Sequence, residues 1–447
     1  MKLVPGRRLP ALALACALVA AAASPAGAAA KIQRIVSPGG IEAWLVHEPS
    51  VPVIAMDFAF RGGASADPAD KPGVANMVTA LLDEGAGDMN AKAFQERLQE
   101  QAIELSFASG RDRFRGTLRT LAENREEAFA LLRAALAAPR FDADAVLRIR
   151  GQIVANLTRE STSPNHIASK RWWATAFPDH PYGRPADGTL ESLPRIAADD
   201  LRGYVRRVFT REGLKIGIVG AVDAETAGRL VDQAFGSLPA KSGLAPVAET
   251  KPQGIGQRIS VDLAVPQTVI TFGGAGIARS DPDFFAAYVV NHILGGGSFS
   301  SRLHREVRET RGLAYSIYST LVWLERTAIL SGSTATRADR AAETVALIEQ
   351  EFRRMAESGP TAAELERAKT YLKDSYALGF DTSSKIAGQL VQIQIDDLGI
   401  DYVDRRKALI EAITLEDAKR VAKRLLDGLL FVTVGPAKEA AVKKEGG

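Results

Sequence analysis

The stretch Val51-Pro52-Val53-Ile54-Ala55-Met56-Asp57-Phe58-Ala59-Phe60 decides the fold, because its pattern occurs twice in a chain of 447 residues. The stretch is rich in β-branched and aromatic residues, which predicts a buried strand. It is followed by a glycine-rich turn, the pair Asp67-Pro68 and an apolar segment that predicts a helix over about 73–82. This strand, turn and helix form the first copy of the pattern.

The second copy begins with Val265-Pro266-Gln267-Thr268-Val269-Ile270-Thr271-Phe272, and the same turn and Asp-Pro pair precede an apolar helix over about 284–294. After each copy the sequence predicts a charged helix, two strands and a long Ala-rich helix. Two similar tandem halves are the simplest account. The order of elements favours an α+β fold in which each half is an antiparallel sheet packed by helices on one face.

The predicted boundaries follow from local composition. Residues 31–238 form the first half and residues 258–447 the second. Residues 239–257 contain Pro246, Pro252 and Gly254 and show no hydrophobic period, so we interpret them as a linker.

The first thirty residues predict a cleaved signal peptide, and therefore an exported, periplasmic protein. Lys2, Arg7 and Arg8 precede an apolar run, and small residues over 26–30 supply a cleavage site. The run is shorter than the about twenty apolar residues that span a membrane, so we expect no integral membrane segment after cleavage. Cys16 is the only cysteine and lies in this run, which leaves the mature chain without a thiol.

The charge balance argues against a nucleic-acid partner. The chain has 56 Lys and Arg against 53 Asp and Glu, and three of the cations belong to the predicted signal peptide, which contains no acidic residue. The mature chain therefore has no excess positive charge with which to attract nucleic acid.

A second motif runs from Gly295-Gly296-Gly297 through Ser301-Arg302-Leu303 to Val307-Arg308-Glu309-Thr310-Arg311-Gly312-Leu313-Ala314-Tyr315-Ser316. It resembles the C-terminal signature of the insulinase/pitrilysin-type zinc peptidases, a family that includes the mitochondrial processing peptidase and two-subunit bacterial relatives. The resemblance extends over essentially the whole mature chain. It implies the fold of the LuxS/MPP-like metallopeptidases.

The first half departs from the family at the metal site. Active members carry an HxxEH motif, in which two His bind zinc and the Glu activates the bound water. Alignment places Asn76, Thr79 and Ala80 at these three positions, and Asn156 is the nearest match to the third ligand, a Glu. The resemblance therefore implies that this chain binds no metal.

The histidines lead to the same expectation without the family. No two of the five are spaced i, i+3 or i, i+4, as a zinc-binding helix would require. We interpret them as packed or solvated imidazoles, and Trp172-Trp173 as packing between helices. The five are His47, His166, His180, His292 and His304.

Arg308 and Tyr315 are the candidate functional pair. Gly312 is expected to end a charged helix between them, which places them on either side of a helix-to-strand corner. The resemblance implies that both face the zinc across a cleft and hydrogen-bond the substrate. Without the resemblance, Arg308 is one charge on a solvated helix face and Tyr315 is a half-buried strand residue.

The loop Gly295-Gly296-Gly297 permits two interpretations. Either it only separates two helices, with Ser298 or Ser300 as the N-cap, or it is a mobile substrate contact, as in non-catalytic family subunits. No Lys-Ser or Lys-Thr follows at the spacing of a phosphate-binding loop.

Two functions agree with the sequence. In the first, the chain is the non-catalytic, peptide-binding subunit of a heterodimeric zinc peptidase; its homologous partner carries HxxEH and the zinc, and receives Arg308 and Tyr315 at its active site. In the second, the chain is an inert peptide-binding or scaffold protein of the same fold. The retained Arg and Tyr favour the first.

Overall fold

The computed structural model describes residues 31–436. The predicted signal peptide, with Lys2, Arg7, Arg8 and Cys16, lies outside these residues. Within them, no helix combines the length and the apolar character that a membrane crossing requires.

Thirteen strands are present in the described chain. They are β1 (Gln33–Val36), β2 (Glu42–His47), β3 (Val53–Arg61), β4 (Gly85–Ala86), β5 (Met89–Asn90), β6 (Glu104–Ser109), β7 (Arg113–Leu121), β8 (Lys215–Gly220), β9 (Arg258–Asp262), β10 (Gln267–Ala275), β11 (Ala314–Trp323), β12 (Ala328–Arg337) and β13 (Leu430–Gly435).

The α-helices between residues 31 and 436 are α1 (Val74–Thr79), α2 (Ala91–Glu100), α3 (Arg125–Ala137), α4 (Ala143–Glu160), α5 (Pro164–Ala176), α6 (Ala198–Val208), α7 (Ala224–Phe235), α8 (Phe284–Asn291), α9 (Ala341–Ser358), α10 (Ala362–Asp374), α11 (Ser383–Ile395), α12 (Tyr402–Glu411) and α13 (Leu415–Leu425). Two π-helical segments, His292–Gly296 and His304–Thr310, precede β11.

The strands form one large sheet in each half. The first has six strands in the order β1-β2-β8-β3-β7-β6, and the second has five in the order β11-β12-β10-β13-β9. Residues 236–257 lie between the last helix of the first half and β9, and they contain no helix or strand. The prediction of two similar α+β halves is confirmed.

Two details of the predicted sheets are wrong. Each sheet contains one parallel pair, β2 with β8 and β9 with β13, so neither is purely antiparallel. Each sheet also has helices on both faces. The helices of its own half cover one face, and a single helix from the other half covers the second.

The crossing helices are α11, which packs on β3 and β8 of the first sheet, and α5, which packs on β10 and β13 of the second. Side chains alternate between the faces of a strand. Accordingly, Ile218 belongs to the core beneath the first half's own helices, whereas its neighbour Val219 packs against Leu390 of α11. A helix contributed by one half thus completes the core of the other.

One glycine in each sheet allows the crossing helix to approach. A Cβ atom at Gly217 of β8 would lie 2.6 Å from the carbonyl oxygen of Ala387, and one at Gly273 of β10 would lie 2.6 Å from the Trp172 ring. Both distances are too short for a side chain. The glycines are therefore required by helix-to-sheet packing.

A turn of the second half also bonds to the first half. The amide of Glu325, between β11 and β12, donates to Asp112 at 2.8 Å. The Tyr182 hydroxyl donates to the same carboxylate at 2.6 Å and accepts from the amide of Arg326 at 3.1 Å. Burial raises the pKa of Asp112. The two halves therefore meet through a polar junction as well as through the crossing helices.

Candidate functional site

The helix-to-strand corner predicted around Gly312 is present. The π-helical segment His304–Thr310 ends there, with Gly312 in the left-handed region at φ = 58° and its amide donating to the carbonyl of Arg308 at 3.0 Å. Leu313 then donates to the Val307 carbonyl at 2.8 Å, and β11 begins at Ala314. The corner fixes the direction in which Arg308 and the first residues of β11 leave the backbone.

A β-bulge projects Tyr315 out of the sheet. Ala314 is opposite Thr336 and Ile317 is opposite Thr334, so β11 has one more residue than its partner strand in this interval. Such bulges redirect side chains at strand ends and near functional sites. The hydroxyl of Thr334 donates to the carbonyl of Ser316 at 2.7 Å and so occupies a backbone acceptor of the bulge. Tyr315 is 84% exposed.

Arg308 lies beside Tyr315. The carbon of its guanidinium is 5.0 Å from the centre of the Tyr315 ring and 5.1 Å from that of Phe299. These distances allow cation–π attraction to both rings. Among residues 31–436, no carboxylate lies within ion-pair distance of Arg308, although Arg305 on the same segment and Arg311 just after it both pair with Glu306. Its charge is therefore available to a ligand.

His304 is the partner of Arg308 that the sequence interpretation missed. The distance between His304 Nε2 and Arg308 Nη1 is 3.0 Å, and the imidazole is 5% exposed. Its ring also packs edge-on against Phe299, with the ring centres 4.7 Å apart. A search for pairs of histidines could not find it, because the relevant pair is His and Arg at i, i+4, the spacing that places helix side chains side by side.

These side chains line a cavity of about 490 Å³. Gly295 is buried on its wall, where a Cβ atom would be 2.4 Å from the Ser319 hydroxyl, and Gly296 is exposed. The side chain of Asn291 makes two hydrogen bonds to Ser319. Its Nδ2 donates to the carbonyl of Ser319 at 3.2 Å, and its Oδ1 accepts from the Ser319 hydroxyl at 2.8 Å. The start of the glycine-rich loop is thus packed closely on β11.

His292 forms another part of this wall and separates the cavity from a larger, mostly apolar groove of about 820 Å³. Burial lowers the pKa of His292, so its imidazole is neutral near neutral pH. It stacks on Tyr371 with the ring centres 5.0 Å apart. The walls of the cavity thus supply aromatic surface and a single fixed charge, that of Arg308.

In the first half, two of the three positions aligned with HxxEH lie on the short helix α1, and the third is its C-cap. The hydroxyl of Thr79 donates to the carbonyl of Asn76 at 2.7 Å, and Ala80 is the C-cap. The side-chain Nδ2 of Asn76 lies 3.4 Å from the carbonyl oxygen of Asp187. Side chains of these types, engaged with the backbone, do not fit a catalytic zinc.

Asp67 holds the beginning of α1. Its carboxylate accepts from the amides of Gly73 at 2.7 Å and Ala75 at 2.8 Å. Burial raises the pKa of Asp67 to about 7, against the opposing effect of these hydrogen bonds. Both oxygens of the carboxylate accept hydrogen bonds from the first turn of the helix, so they are not free to bind a metal.

Asn156, the nearest match to the third zinc ligand, is exposed on α4 and its side-chain oxygen accepts from Arg159 of the same helix. Among residues 31–436, no three His, Cys, Asp or Glu side chains are grouped so that they could hold a metal ion. The structure brings together Arg308, Tyr315, Gly295 and Gly296 at the cavity, and Gly297 is not among the residues that line it. The positions aligned with the zinc site, Asn76, Thr79, Ala80 and Asn156, lie in the first half.

The fold and the site define a class of protein. Its members have two similar α+β halves, as in the metallopeptidases that the sequence resembles, and their first half lacks the zinc ligands. Two family models match the chain, "Insulinase (Peptidase family M16)" over residues 43–190 and "Peptidase M16 inactive domain" over residues 195–372. The chain belongs to the M16, or insulinase, family, and a non-catalytic role fits it.

Several relatives resemble the chain over most of its length. The non-peptidase homolog YmxG of Helicobacter pylori is 28% identical over 336 residues, which are 75% of this chain and 77% of that protein. An uncharacterized zinc protease of Mycobacterium leprae is 26% identical over 405 residues, 90% of this chain and 91% of its own. A crystal structure of a peptidase M16 inactive domain from Pseudomonas fluorescens has a TM-score of 0.85 at 27% identity, covering 91% of this chain and 98% of that one.

Proposed function

We propose that this chain is the non-catalytic, substrate-binding subunit of an exported two-chain zinc endopeptidase. Its partner is a homologous chain with an intact HxxEH motif, and the two act on peptides or unfolded protein segments. Arg308 and Tyr315 are donated to the partner's active site. The observation that carries the proposal is the corner itself, where an exposed Tyr on a bulge lies beside an Arg without a carboxylate partner among the described residues.

The chemistry of the pair suits peptide hydrolysis. Attack on a peptide carbonyl creates an oxyanion, and a phenol held in place can donate a hydrogen bond to it. A guanidinium donates hydrogen bonds in a fixed plane and can hold a neighbouring carbonyl of the same peptide. The cavity at the corner contains aromatic surface for the apolar side chains of that peptide.

The first half supports the non-catalytic assignment. Asn76, Thr79 and Ala80 supply an amide, a hydroxyl bonded to the backbone and a methyl group, and none of these can replace an imidazole or act as a general base near neutral pH. The zinc and the general base must therefore come from the partner. The Helicobacter pylori relative is named a non-peptidase homolog, which agrees with this assignment.

The test is to purify the tagged chain from the periplasm of its native host and to identify the chains that accompany it. We expect a homologous chain with HxxEH, and we expect the mixture to cleave an unstructured peptide in a chelator-sensitive way while the isolated chain does not. Cleavage by the isolated chain at the rate of the mixture would contradict the proposal. A chain that purifies without such a partner would favour the scaffold function.

The same tagged chain, purified from whole cells, tests export. The positive residues, apolar run and small residues of the first thirty positions support secretion. The N-terminal sequence of the purified chain should then begin near residue 31, and a chain that begins at Met1 would contradict export.

A further inference from the structure

His304 occupies a position that packing alone does not explain. It is almost fully buried, yet it presents one ring nitrogen to Arg308 at 3.0 Å, and the other, Nδ1, is buried without a hydrogen-bond partner among the described residues. Glu309 Oε1 lies 3.6 Å from Nδ1. A buried polar ring costs free energy that an apolar ring of similar size would not.

The contact fixes the protonation of the imidazole. A guanidinium has only hydrogen-bond donors, so Nε2 of His304 must be the acceptor and must carry no proton. In the neutral ring the proton is then on Nδ1, on the side of Glu309. Nδ1 makes no hydrogen bond to Glu309, so the contact with Arg308 is the one hydrogen bond of the His304 ring among the described residues.

We propose that His304 is a positioning residue for substrate binding: its Nε2 holds the Arg308 guanidinium between the rings of Phe299 and Tyr315. This inference rests on the proposed function. Contacts with two aromatic rings alone would leave the guanidinium free to rotate. A hydrogen-bond acceptor at 3.0 Å from Nη1 selects one orientation. Arg308 is then ordered before the peptide arrives, which lowers the entropy that binding must overcome.

Two substitutions separate positioning from packing. His304→Phe keeps an aromatic ring against Phe299 but removes the acceptor, and His304→Gln removes the ring but supplies an amide oxygen that can accept from Arg308. We expect His304→Phe to weaken the binding of fluorescein-labelled casein, an unfolded polypeptide, by about 3- to 10-fold. His304→Gln should bind the labelled casein with an affinity within about 2-fold of that of the wild-type chain.

A double-mutant cycle supplies the control. In an Arg308→Ala background, His304→Phe should have no further effect, because the acceptor then has no donor. His166→Phe makes the same change of ring on α5 of the first half and should leave binding unchanged. Equal thermal unfolding midpoints for the variants exclude a general loss of structure.

A spectroscopic measurement judges the contact without any ligand. Nitrogen chemical shifts of His304 in the whole chain should identify a neutral ring protonated at Nδ1, and Arg308→Ala should change them. A ring protonated at Nε2, or binding that His304→Phe leaves unchanged, would overturn the inference. Failure of the original chain to bind casein would instead contradict the proposed function, and this inference with it.

Discussion

Nε1 of Trp172 donates a 3.3 Å hydrogen bond to the carbonyl oxygen of Leu430, although the two residues lie 258 positions apart. Trp172 is on helix α5 of the first half, and Leu430 begins strand β13 in the sheet of the second. The Trp172 ring reaches this sheet above Gly273, where a side chain would collide with it. The stability of the second half therefore depends on a helix of the first.

The first prediction concerns this contact. Trp172 is 1% exposed, so Trp172→Ala leaves a cavity between α5 and the second sheet and should lower the free energy of unfolding by about 3–5 kcal/mol. Urea denaturation measures the change. Leu147→Ala on α4, where the side chain is 67% exposed, is the control and should have little effect. A similar small effect for Trp172→Ala would show that the crossing helix is not part of the folding unit.

The elements that could be predicted from sequence are those set by local patterns. The apolar stretch at β3 and its repeat at β10 indicate the two sheets, and Gly312 indicates the corner between Arg308 and Tyr315. The packing partner of a helix is not a local property. The aromatic pair Trp172-Trp173 is apolar enough to predict burial. Nothing in α5 distinguishes packing between helices from packing on a sheet of the other half. Trp172 packs on the second sheet, so the prediction that it packs between helices is wrong.

The candidate site was predictable in part for the same reason. Arg308 and Tyr315 belong to a recognisable motif, whereas the bulge that turns Tyr315 outward depends on the pairing of β11 with β12, which joins residues distant in sequence. His304 has no second histidine at i, i+3 or i, i+4, so its spacing predicts no functional role. Its role depends on burial and on the direction of one guanidinium, and neither can be inferred from residue types alone.

The second prediction concerns Tyr315. Tyr315→Phe removes one hydroxyl from an exposed ring, so stability should be unchanged, while the loss of an oxyanion donor should lower kcat of the reconstituted pair by about 10²- to 10³-fold. Tyr371→Phe, also on an exposed ring, is the matched control and should retain activity. Gel filtration checks that both variants form the pair. Near-normal kcat for a Tyr315→Phe pair would make the motif structural and the chain a scaffold.

The third prediction separates Arg308 from its neighbours on the segment. Arg308→Lys keeps the charge but loses the planar group that contacts His304 and lies between two rings, so KM of the pair should rise by about tenfold or more. Arg305→Lys makes the same change at an arginine that pairs with Glu306 and should leave KM unchanged. Equal KM values for the two variants would show that Arg308 does not contribute to substrate binding.

The fourth prediction is that the chain purifies without zinc. The groups at Asn76, Thr79 and Ala80 are not zinc ligands, and the exposed Asn156 cannot replace a carboxylate. Elemental analysis after gel filtration should find far less than one zinc per chain, whereas the HxxEH partner prepared in the same way should retain it. One equivalent held against a mild chelator would mean that the ligands lie elsewhere in the chain.

The last prediction follows from Asp57, a buried carboxyl group on β3 that faces the crossing helix α11. It is 8% exposed, its Oδ1 has no hydrogen-bond partner in the described chain, and a Cβ atom at Gly388 would lie 3.6 Å from its Oδ2. Burial raises the pKa of Asp57 to about 6, although the charge of Arg115 opposes the change. In an unfolded chain the pKa of an Asp is about 3.9.

Because the pKa of Asp57 is higher in the folded chain, the folded state binds more protons between about pH 4 and pH 6, and folding loses stability as the pH rises through this interval. Asp57→Asn cannot ionise. The free energy of unfolding of the original chain, relative to Asp57→Asn, should therefore fall by about 2–3 kcal/mol between about pH 4 and pH 7. Urea denaturation at several pH values measures this difference, with Asp88→Asn, at an exposed position, as the control. A difference that stays constant with pH would show that folding does not raise the pKa of Asp57. A difference that rises with pH would show that the carboxylate is stabilised where α11 meets the first sheet.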